Sequence, residues 1–258
     1  MEISMRPIVA AVFMAGFVAG TSMGAEGPKA GKAAAGRFVY KVSDTWKLQE
    51  TMVMAKVEMP GMESGAQMPQ ASSAVMTYVV EKVFPNGSAL VSKTPVSCSN
   101  GPSLKELKDA PLPNGGKPGY MLCTRDGRIF MVQGKMTSED PAQQAMMDES
   151  GNTDEVALLK SSKTTAEFLK VMRNQGPLDA YRVPAKVLKV GGKTKIEGYD
   201  VARIKDEALD GVTCEVYRAV MDPMVETIWF DARAGRVVKR TIVQGDPAQM
   251  EVTQVVVK

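Results

Sequence analysis

The stretch "AVMTYVVEKVFPNGSALVSK", residues 74–93, contains two runs of alternating apolar and polar residues on either side of a turn. Side chains of a β-strand point alternately to opposite faces of a sheet, so each run predicts a strand with one buried face. Between the runs lies Pro85-Asn86-Gly87, and an asparagine-glycine pair is a strong signal for a tight turn between antiparallel strands. The stretch therefore predicts a β-hairpin.

The same alternation recurs through most of the chain. It predicts strands at residues 36–43 and 45–59, and a second hairpin that turns at Arg125-Asp126-Gly127. Nearer the C terminus it predicts strands that turn at Gly191-Gly192 and between Asp231 and Gly235. Strands joined by such short turns are antiparallel, because parallel neighbours need long crossover connections.

A helical pattern interrupts the strands at residues 138–182. It begins at Asp140 and Pro141, a typical helix start, and later places Phe168, Leu169 and Met172 on one helix face. A helix with one apolar face is expected to pack on a sheet. We therefore predict a mainly β protein, built as a strongly curved antiparallel sheet or incomplete barrel with a helical insertion packed on it. The predicted domain covers residues 37–258.

The N terminus has the features of a secretory signal. Residues 8–18 form an apolar run that is shorter than the roughly 20 residues needed to span a bilayer, and small residues follow it. Residues 1–24 are predicted to be cleaved off after Gly24, and residues 25–36 to form a flexible tether. The mature protein is then expected in the periplasm or outside the cell, without a transmembrane span. An uncleaved membrane anchor is the alternative.

Composition excludes several classes of site. The sequence contains no histidine, which excludes Ser-His-Asp and Cys-His catalysis and every histidine-based zinc site. No other catalytic motif is present, so we do not expect an enzyme. The formal net charge of +3 is too small to predict binding to nucleic acid, which usually requires a strongly basic face.

Export would allow disulfides to persist. Cys98 and Cys123 each end a strand-like run and bracket a loop that is rich in proline and glycine. A Cys98–Cys123 disulfide is predicted there, although a cysteine count alone does not establish which thiols pair. Cys214 alternates with valines and is interpreted as a small buried side chain.

Methionines are concentrated in residues 50–70, "ETMVMAKVEMPGMESGAQMPQ". Three interpretations stay open: a thioether site for copper(I), the wall of an apolar pocket, or a core strand that runs into a loop. Strand periodicity places Met52 and Met54 on the same face as Trp46, as a strand that lines a core or cavity would show. The copper site would use Met52, Met54, Met59 and Met62.

The C-terminal segment, residues 214–258, combines amphipathic runs with a hairpin pattern formed by Trp229, Phe230, Asp231, Gly235 and Lys239. In this pattern it resembles the exported lipoprotein-carrier family, to which the LolA, LolB and RseB proteins belong. The resemblance implies an incomplete β-barrel that helices close around a hydrophobic cavity for acyl chains.

These observations predict a non-catalytic, exported protein that binds a hydrophobic small molecule or lipid in a cavity of the sheet. The resemblance implies that the helical residues contact the ligand as a lid. The predicted lining consists of Trp46, Met52, Met54, Phe168, Leu169, Met172 and Trp229. The alternatives are a methionine-based copper(I) protein and a module that recognises another envelope protein. No cofactor is expected, and copper is the alternative.

Overall fold

The computed structural model describes residues 36–55, 70–135, 137–138, 140–149, 153–172, 176–245 and 250–257. The predicted signal peptide, most of the predicted tether, Met59 and Met62 lie outside these ranges. The described strands are β1 (Thr45–Met54), β2 (Ala71–Val83), β3 (Ala89–Gly101), β4 (Lys108–Asp109), β5 (Gly119–Cys123), β6 (Arg128–Val132), β7 (Asp179–Ala180), β8 (Lys193–Ile196), β9 (Tyr199–Leu209), β10 (Val212–Met221), β11 (Met224–Asp231), β12 (Arg236–Gln244) and β13 (Met250–Val257). The described helices are α1 (Pro141–Glu149), α2 (Glu155–Ser161) and α3 (Ala166–Met172), and Pro113–Gly116 forms a 3-10 turn.

All thirteen strands belong to one antiparallel sheet, which confirms the predicted fold class. The order is β7-β6-β5-β3-β2-β1-β13-β12-β11-β10-β9-β8, and β4 pairs with β3 alone. The first strand, β1, lies between β2 and the last strand, β13, so it joins the two halves of the chain. In the described residues the two ends of the order, β7 and β8, do not pair, and the sheet does not close.

The sheet curls until its two ends come close together. Asp179 on β7 binds Arg240 on β12, although six strands separate β7 and β12 in the sheet order. Arg128 on β6 binds Glu197, which follows β8, across the unpaired ends at 3.0 Å. We call the side of the sheet where these partners meet the inner face, and the gap between β7 and β8 the seam.

Local chemistry explains the hairpins that the sequence predicted. The side-chain oxygen of Asn86 accepts a hydrogen bond from the Ser88 amide at 3.1 Å in the β2–β3 turn. In the β11–β12 turn, Asp231 accepts from the amides of Arg233 and Ala234, and Gly235 adopts a positive φ of 63°. These interactions satisfy turn amides without a partner strand, so the turns form from local sequence.

One predicted strand is absent. Residues 36–43 alternate, but they cross one end of the curled sheet instead of pairing along it. The Phe38 amide donates to the carbonyl of Arg125 at 3.1 Å, and the Val39 amide donates to the carbonyl of Gly235 at 3.0 Å. This segment thus ties the β5–β6 turn to the β11–β12 turn, because its backbone groups find partners in both.

A turn forms at Gly191-Gly192, where the Gly192 amide donates to the Lys189 carbonyl at 2.8 Å, but it does not join two paired strands as predicted. The β8–β9 hairpin turns at Glu197 and Gly198, whose φ angles are 50° and 88°. Two consecutive residues with positive φ suit the twist of a two-residue hairpin. Residues 183–192, part of which was predicted as a strand, therefore form an irregular connection from β7 to β8.

Apolar residues pack in three clusters. Two lie on the inner face, and the half-buried Tyr40 contacts both of them. The third lies on the outer face, because adjacent residues of single strands divide between clusters: Leu90 and Leu122 belong to the third, whereas Val91 and Cys123 belong to an inner one. Neighbours in a strand face opposite ways, so the third cluster is on the other side of the sheet.

Helices α2 and α3 cover the part of the outer face that β3, β5 and β6 form. Leu159 of α2 and Phe168 of α3 pack with Leu90 and Phe130 in the outer cluster. Lys82, at the end of β2, donates to the carbonyl oxygens of Leu159, Lys160 and Ser162 at the C-terminal end of α2. A cation suits this end of a helix, where carbonyl groups lack helical partners. None of the helices described is long and apolar enough to cross a membrane.

The predicted Cys98–Cys123 disulfide is wrong, because all three cysteines are free and buried. Cys123 on β5 lies opposite Ala89 at the start of β3, whereas Cys98 lies nine residues further along β3. At a rise of about 3.3 Å per residue, this places the two cysteines roughly 30 Å apart. A disulfide requires Cα atoms within about 7 Å.

Thiol alkylation should therefore show three reactive groups in denaturant and almost none in the native protein. Burial blocks access, and it also raises the pKa of Cys123 to about 12, so little nucleophilic thiolate forms at neutral pH. The measurement is mass spectrometry after iodoacetamide treatment of unreduced protein, with pre-reduced protein as the control. Labelling of a single cysteine in denatured, unreduced protein would contradict the structure.

Candidate functional site

A cleft of about 550 Å³ lies at the seam. Its walls come from the β6–β7 side, from the edge strand β8 and from the connection between β7 and β8. The residues that line this seam cleft are Gly36, Arg37, Asp126, Arg128, Ala180, Tyr181, Val183, Pro184, Ala185, Lys186, Leu188, Lys193, Thr194, Lys195, Ile196 and Glu197. The cleft exists because β7 and β8 approach each other without pairing.

The floor of the seam cleft is apolar. Tyr181, Leu188 and Ile196 line it and also pack against an inner cluster, and Val183 belongs to that cluster. Tyr181 stacks on Phe38 with ring centroids 5.6 Å apart, and burial raises its pKa well above its usual value. Because the packed core supports the floor from below, its shape is fixed before any ligand arrives.

The rim of the seam cleft is cationic. Five basic and two acidic residues line it, which leaves an excess of three positive charges. Arg128 is paired with Glu197 at 3.0 Å, and Lys195 lies 3.4 Å from Asp200. Lys186 and Lys193 are exposed and form no ion pair with any residue that the structure describes. These two ammonium groups are available to an anionic ligand.

A buried ionic cluster supports the floor from the inner face. Arg240 donates to Glu226 at 2.5 Å and binds Asp179 through two hydrogen bonds. Arg182 lies 3.3 Å from Glu226, and its Nε atom is buried without a hydrogen-bond partner. Burial opposes the charge of Asp179, but Arg240 outweighs that effect and holds the pKa of Asp179 below its usual value. The cluster fixes β7, and with it one wall of the cleft, against β12.

Arg37 anchors the other side. It lies 2.6 Å from Glu215 and donates to the Tyr217 hydroxyl at 2.8 Å. Burial, together with the hydrogen bond to Glu215, raises the pKa of Tyr217 to about 12. The guanidinium of Arg37 also stacks over Phe230, 4.7 Å from the ring centre. Arg37 is therefore committed to internal partners, and it is a poorer ligand contact than the two free lysines.

The structure does not bring the seven predicted lining residues together, and none of them lines the seam cleft. Trp46, Met52 and Met54 lie on the inner face of β1, where Trp46 stacks on Tyr78 at 5.3 Å. The three helical residues belong to the opposite face: Phe168 and Met172 lie in the outer cluster, and Leu169 packs against it. The expected lid therefore covers the back of the sheet.

Trp229 also lies on the outer face. Its neighbours in β11, Ile228 and Phe230, belong to an inner cluster, so the alternation points Trp229 outward. The indole donates to Glu207 at 2.9 Å, and Lys239 lies 4.7 Å from the centre of the indole ring. The aromatic ring covers polar outer surface, and it does not face the inner side where Trp46 lies.

The seam cleft was not predicted, although the sequence holds a signal for the sheet edge beside it. Lys186, Lys189, Lys193 and Lys195 cluster around the glycine pair, and the pattern indicates a charged, unpaired sheet edge. β8 is such an edge. The apolar floor could not be predicted from local sequence, because its residues come from separate segments that only the curl of the sheet brings together. In the described residues, no group of three or more acidic or cysteine side chains is placed to hold a metal ion.

No family model and no curated protein matches the sequence. Among solved structures, a chain of the MucA/MucB complex of Pseudomonas aeruginosa matches with a TM-score of 0.30 and 11% identity. The match covers 85% of this protein, but only about half (51%) of the matched chain. A putative outer membrane lipoprotein-sorting protein domain from Vibrio parahaemolyticus matches with a TM-score of 0.25 and 10% identity, over 86% of each chain. A LolA superfamily protein from Nitrosomonas europaea matches with a TM-score of 0.25 and 7% identity, over 88% of this chain and 89% of its own.

The last two are named for the same kind of protein that residues 214–258 resemble. All three TM-scores are below 0.5.

Proposed function

We propose that the protein binds an amphipathic anionic ligand, such as a fatty acid, in the seam cleft and does not transform it. One observation carries this proposal: an apolar floor and two unpaired lysines occur together in one preformed cleft. The absence of histidine from the sequence fits a role in binding. An envelope location, as the N-terminal signal pattern suggests, would place the protein where such lipids are abundant.

The apolar floor would hold the hydrocarbon chain. The volume of about 550 Å³ lies within the range of about 300–1,000 Å³ that is typical of small-molecule sites. Contact with Tyr181, Leu188 and Ile196 removes apolar ligand surface from water, which contributes about 0.8 kcal/mol for each fully buried methylene group. Affinity should therefore rise with chain length until the cleft is filled.

The rim would hold the anionic head group. Lys186 and Lys193 come from different segments of the cleft lining, one from the connection and one from β8. Ammonium groups form charge-assisted hydrogen bonds with carboxylate or phosphate oxygens. Because neither lysine loses an internal partner when it binds the ligand, the attraction is not offset by a broken ion pair.

The binding test uses a fluorescent fatty acid and its uncharged methyl ester, titrated into the folded protein. We expect the Lys186→Glu/Lys193→Glu variant to bind the acid at least about tenfold more weakly, a change of about 1.4 kcal/mol. The reversed charges repel the carboxylate, whereas the ester should bind both proteins alike. Lys105→Glu/Lys117→Glu, a pair of exposed lysines away from the cleft, is the matched control with the same change in net charge.

Two outcomes would contradict the proposal. Equal weakening by the control pair would indicate a general charge effect instead of a site. Unchanged affinity for the acid in the Lys186→Glu/Lys193→Glu variant would show that the head group does not lie at this rim. Extraction of the purified protein, followed by mass spectrometry, would identify which lipid it carries from the cell.

A further inference from the structure

Strand register places methionines in a row across one end of the sheet. Met54 lies opposite Met250, Met250 opposite Gln244, Gln244 opposite Met224, and Met224 opposite Met221. Directly opposed residues share a face, so these five side chains from five neighbouring strands project from the same side. Met52, two residues from Met54 in β1, projects from that side as well.

The row lies on the inner face. Gln254 and Glu50 are opposite each other in β13 and β1, and their side chains form a hydrogen bond of 2.6 Å. Gln254 points to the same face as Met250 in β13, and Glu50 points to the same face as Met54 in β1. Further along the same face, Leu48 belongs to an inner cluster. The methionine row therefore lies on the inner face. It is at the end of the sheet opposite to the end that residues 36–43 cross.

Of these five methionines only Met224 packs against an apolar cluster. Met224 packs against an inner cluster and accepts a hydrogen bond from the Tyr199 hydroxyl, and Met221 is exposed on the far side of it. Met52, Met54 and Met250 are half-buried and belong to none of the three apolar clusters. Thioethers that are partly open to solvent and free of core packing can rotate toward a ligand.

We propose that Met52, Met54 and Met250 form a binding site for a soft monovalent cation, copper(I). Soft thioether ligands favour copper(I) over harder ions. Opposite residues of antiparallel strands have Cβ atoms about 4.5–5.5 Å apart, and residues i and i+2 are about 7 Å apart. The three rotatable bonds of each methionine let sulfur atoms from such positions converge on one ion.

The surroundings suit a single positive charge. Ser72 and Val252 lie opposite Met52, and Gln244 lies opposite Met250, so none of these register partners in the described strands is a cation. Glu50 is the next residue on the same face of β1 beyond Met52, so its carboxylate, which accepts a hydrogen bond from Gln254, lies on the same side of the sheet as the trio. Neutral sulfur ligands leave the charge of copper(I) uncompensated, so a nearby carboxylate is favourable.

This site differs from the one that the sequence suggested. The sequence hypothesis used Met59 and Met62, which lie outside the described residues, whereas register supplies Met250 from the opposite end of the chain. The site is also separate from the seam cleft, which none of the three methionines lines. A negative result for copper(I) binding would therefore leave fatty-acid binding untouched, and a negative result for fatty-acid binding would leave copper(I) binding untouched.

The test uses silver(I), a redox-inert substitute for copper(I), with protein labelled with ¹³C at the methionine methyl groups. We expect one silver ion to shift the NMR signals of Met52, Met54 and Met250, each assigned from its leucine variant. Methyl shifts report on thioether binding, so metal captured by the three cysteines does not interfere. Competition with a copper(I) chelator under anaerobic conditions then gives the affinity.

Met250→Leu is expected to lower the copper(I) affinity at least about tenfold, because one of three ligands is lost while side-chain volume is kept. Met131→Leu, on β6 and 45% exposed, is the matched control: β6 is four strands away from β1 in the sheet, so affinity should be unchanged. The proposal is overturned if silver(I) leaves the three methyl signals in place. It is also overturned if Met59→Leu/Met62→Leu abolishes binding and Met250→Leu does not.

Discussion

Replacing Glu226 with alanine is expected to lower the free energy of unfolding by about 3–5 kcal/mol, the cost of leaving a buried charge without its partner. The Glu226 side chain is 1% exposed and accepts a hydrogen bond from Arg240 at 2.5 Å. Arg240 is 2% exposed, so water cannot replace the lost carboxylate. In the variant, Arg240 keeps Asp179 alone, and Arg182 loses its contact with Glu226.

Urea denaturation followed by circular dichroism measures this effect. Glu226→Gln keeps the volume and one hydrogen-bond acceptor but removes the charge, so it should fall between the wild type and Glu226→Ala. Lys195→Ala removes an ion pair whose two side chains are 78% and 73% exposed, and it should change stability by less than about 0.5 kcal/mol. If Glu226→Ala and Lys195→Ala had similar effects, the ionic cluster would not hold β7 to β12.

Replacing Phe168 with alanine is expected to lower the free energy of unfolding by about 3–5 kcal/mol, as deletions of buried phenylalanine rings do. Phe168 is 3% exposed and packs with Leu90, Leu122 and Phe130 in the outer cluster. Its loss leaves a cavity between α3 and the outer face of the sheet. The seam cleft lies elsewhere, so fatty-acid affinity should not change under conditions where the variant is folded.

Measuring both the stability and the fatty-acid affinity of Phe168→Ala distinguishes two roles for α3. Leu158→Ala, on the exposed side of α2, is the control for a helical leucine outside the cluster and should have a much smaller effect on stability. If Phe168→Ala weakened fatty-acid binding and left stability unchanged, α3 would act as the lid that the sequence predicted. Loss of stability without loss of binding supports a structural role on the outer face.

Local sequence was sufficient for the elements that local interactions stabilise. The turns at Asn86-Gly87 and at Asp231–Gly235 satisfy their own amides, so their hairpins were predicted correctly. The β8–β9 hairpin was predicted to turn at Gly191-Gly192 instead of Glu197-Gly198, because both pairs offer turn residues. Pairing of β8 with β9 decides between them, and that pairing depends on residues beyond the turn.

Side-chain alternation also limited what could be predicted about the site. The alternation of side chains along a strand shows that Trp229 and Phe230 point to opposite faces of the sheet, but it does not show which face becomes the inner one. The sequence hypothesis assigned Trp229 to the inside, and the structure places Phe230 there. The same ambiguity put Phe168 on the inner side, because an apolar helix face fits either surface of a sheet.

The sequence by itself determined that this protein is mainly β, that its strands are antiparallel, that a helical segment packs on the sheet, and that histidine chemistry is absent. Only the tertiary structure decided that β1 pairs with β13, that the ends of the sheet meet without joining, and that Met54 faces Met250. The physical reason is the separation in sequence between the residues that interact. Turns and alternation depend on neighbouring residues, whereas register and curvature depend on contacts between strands that lie far apart in the chain.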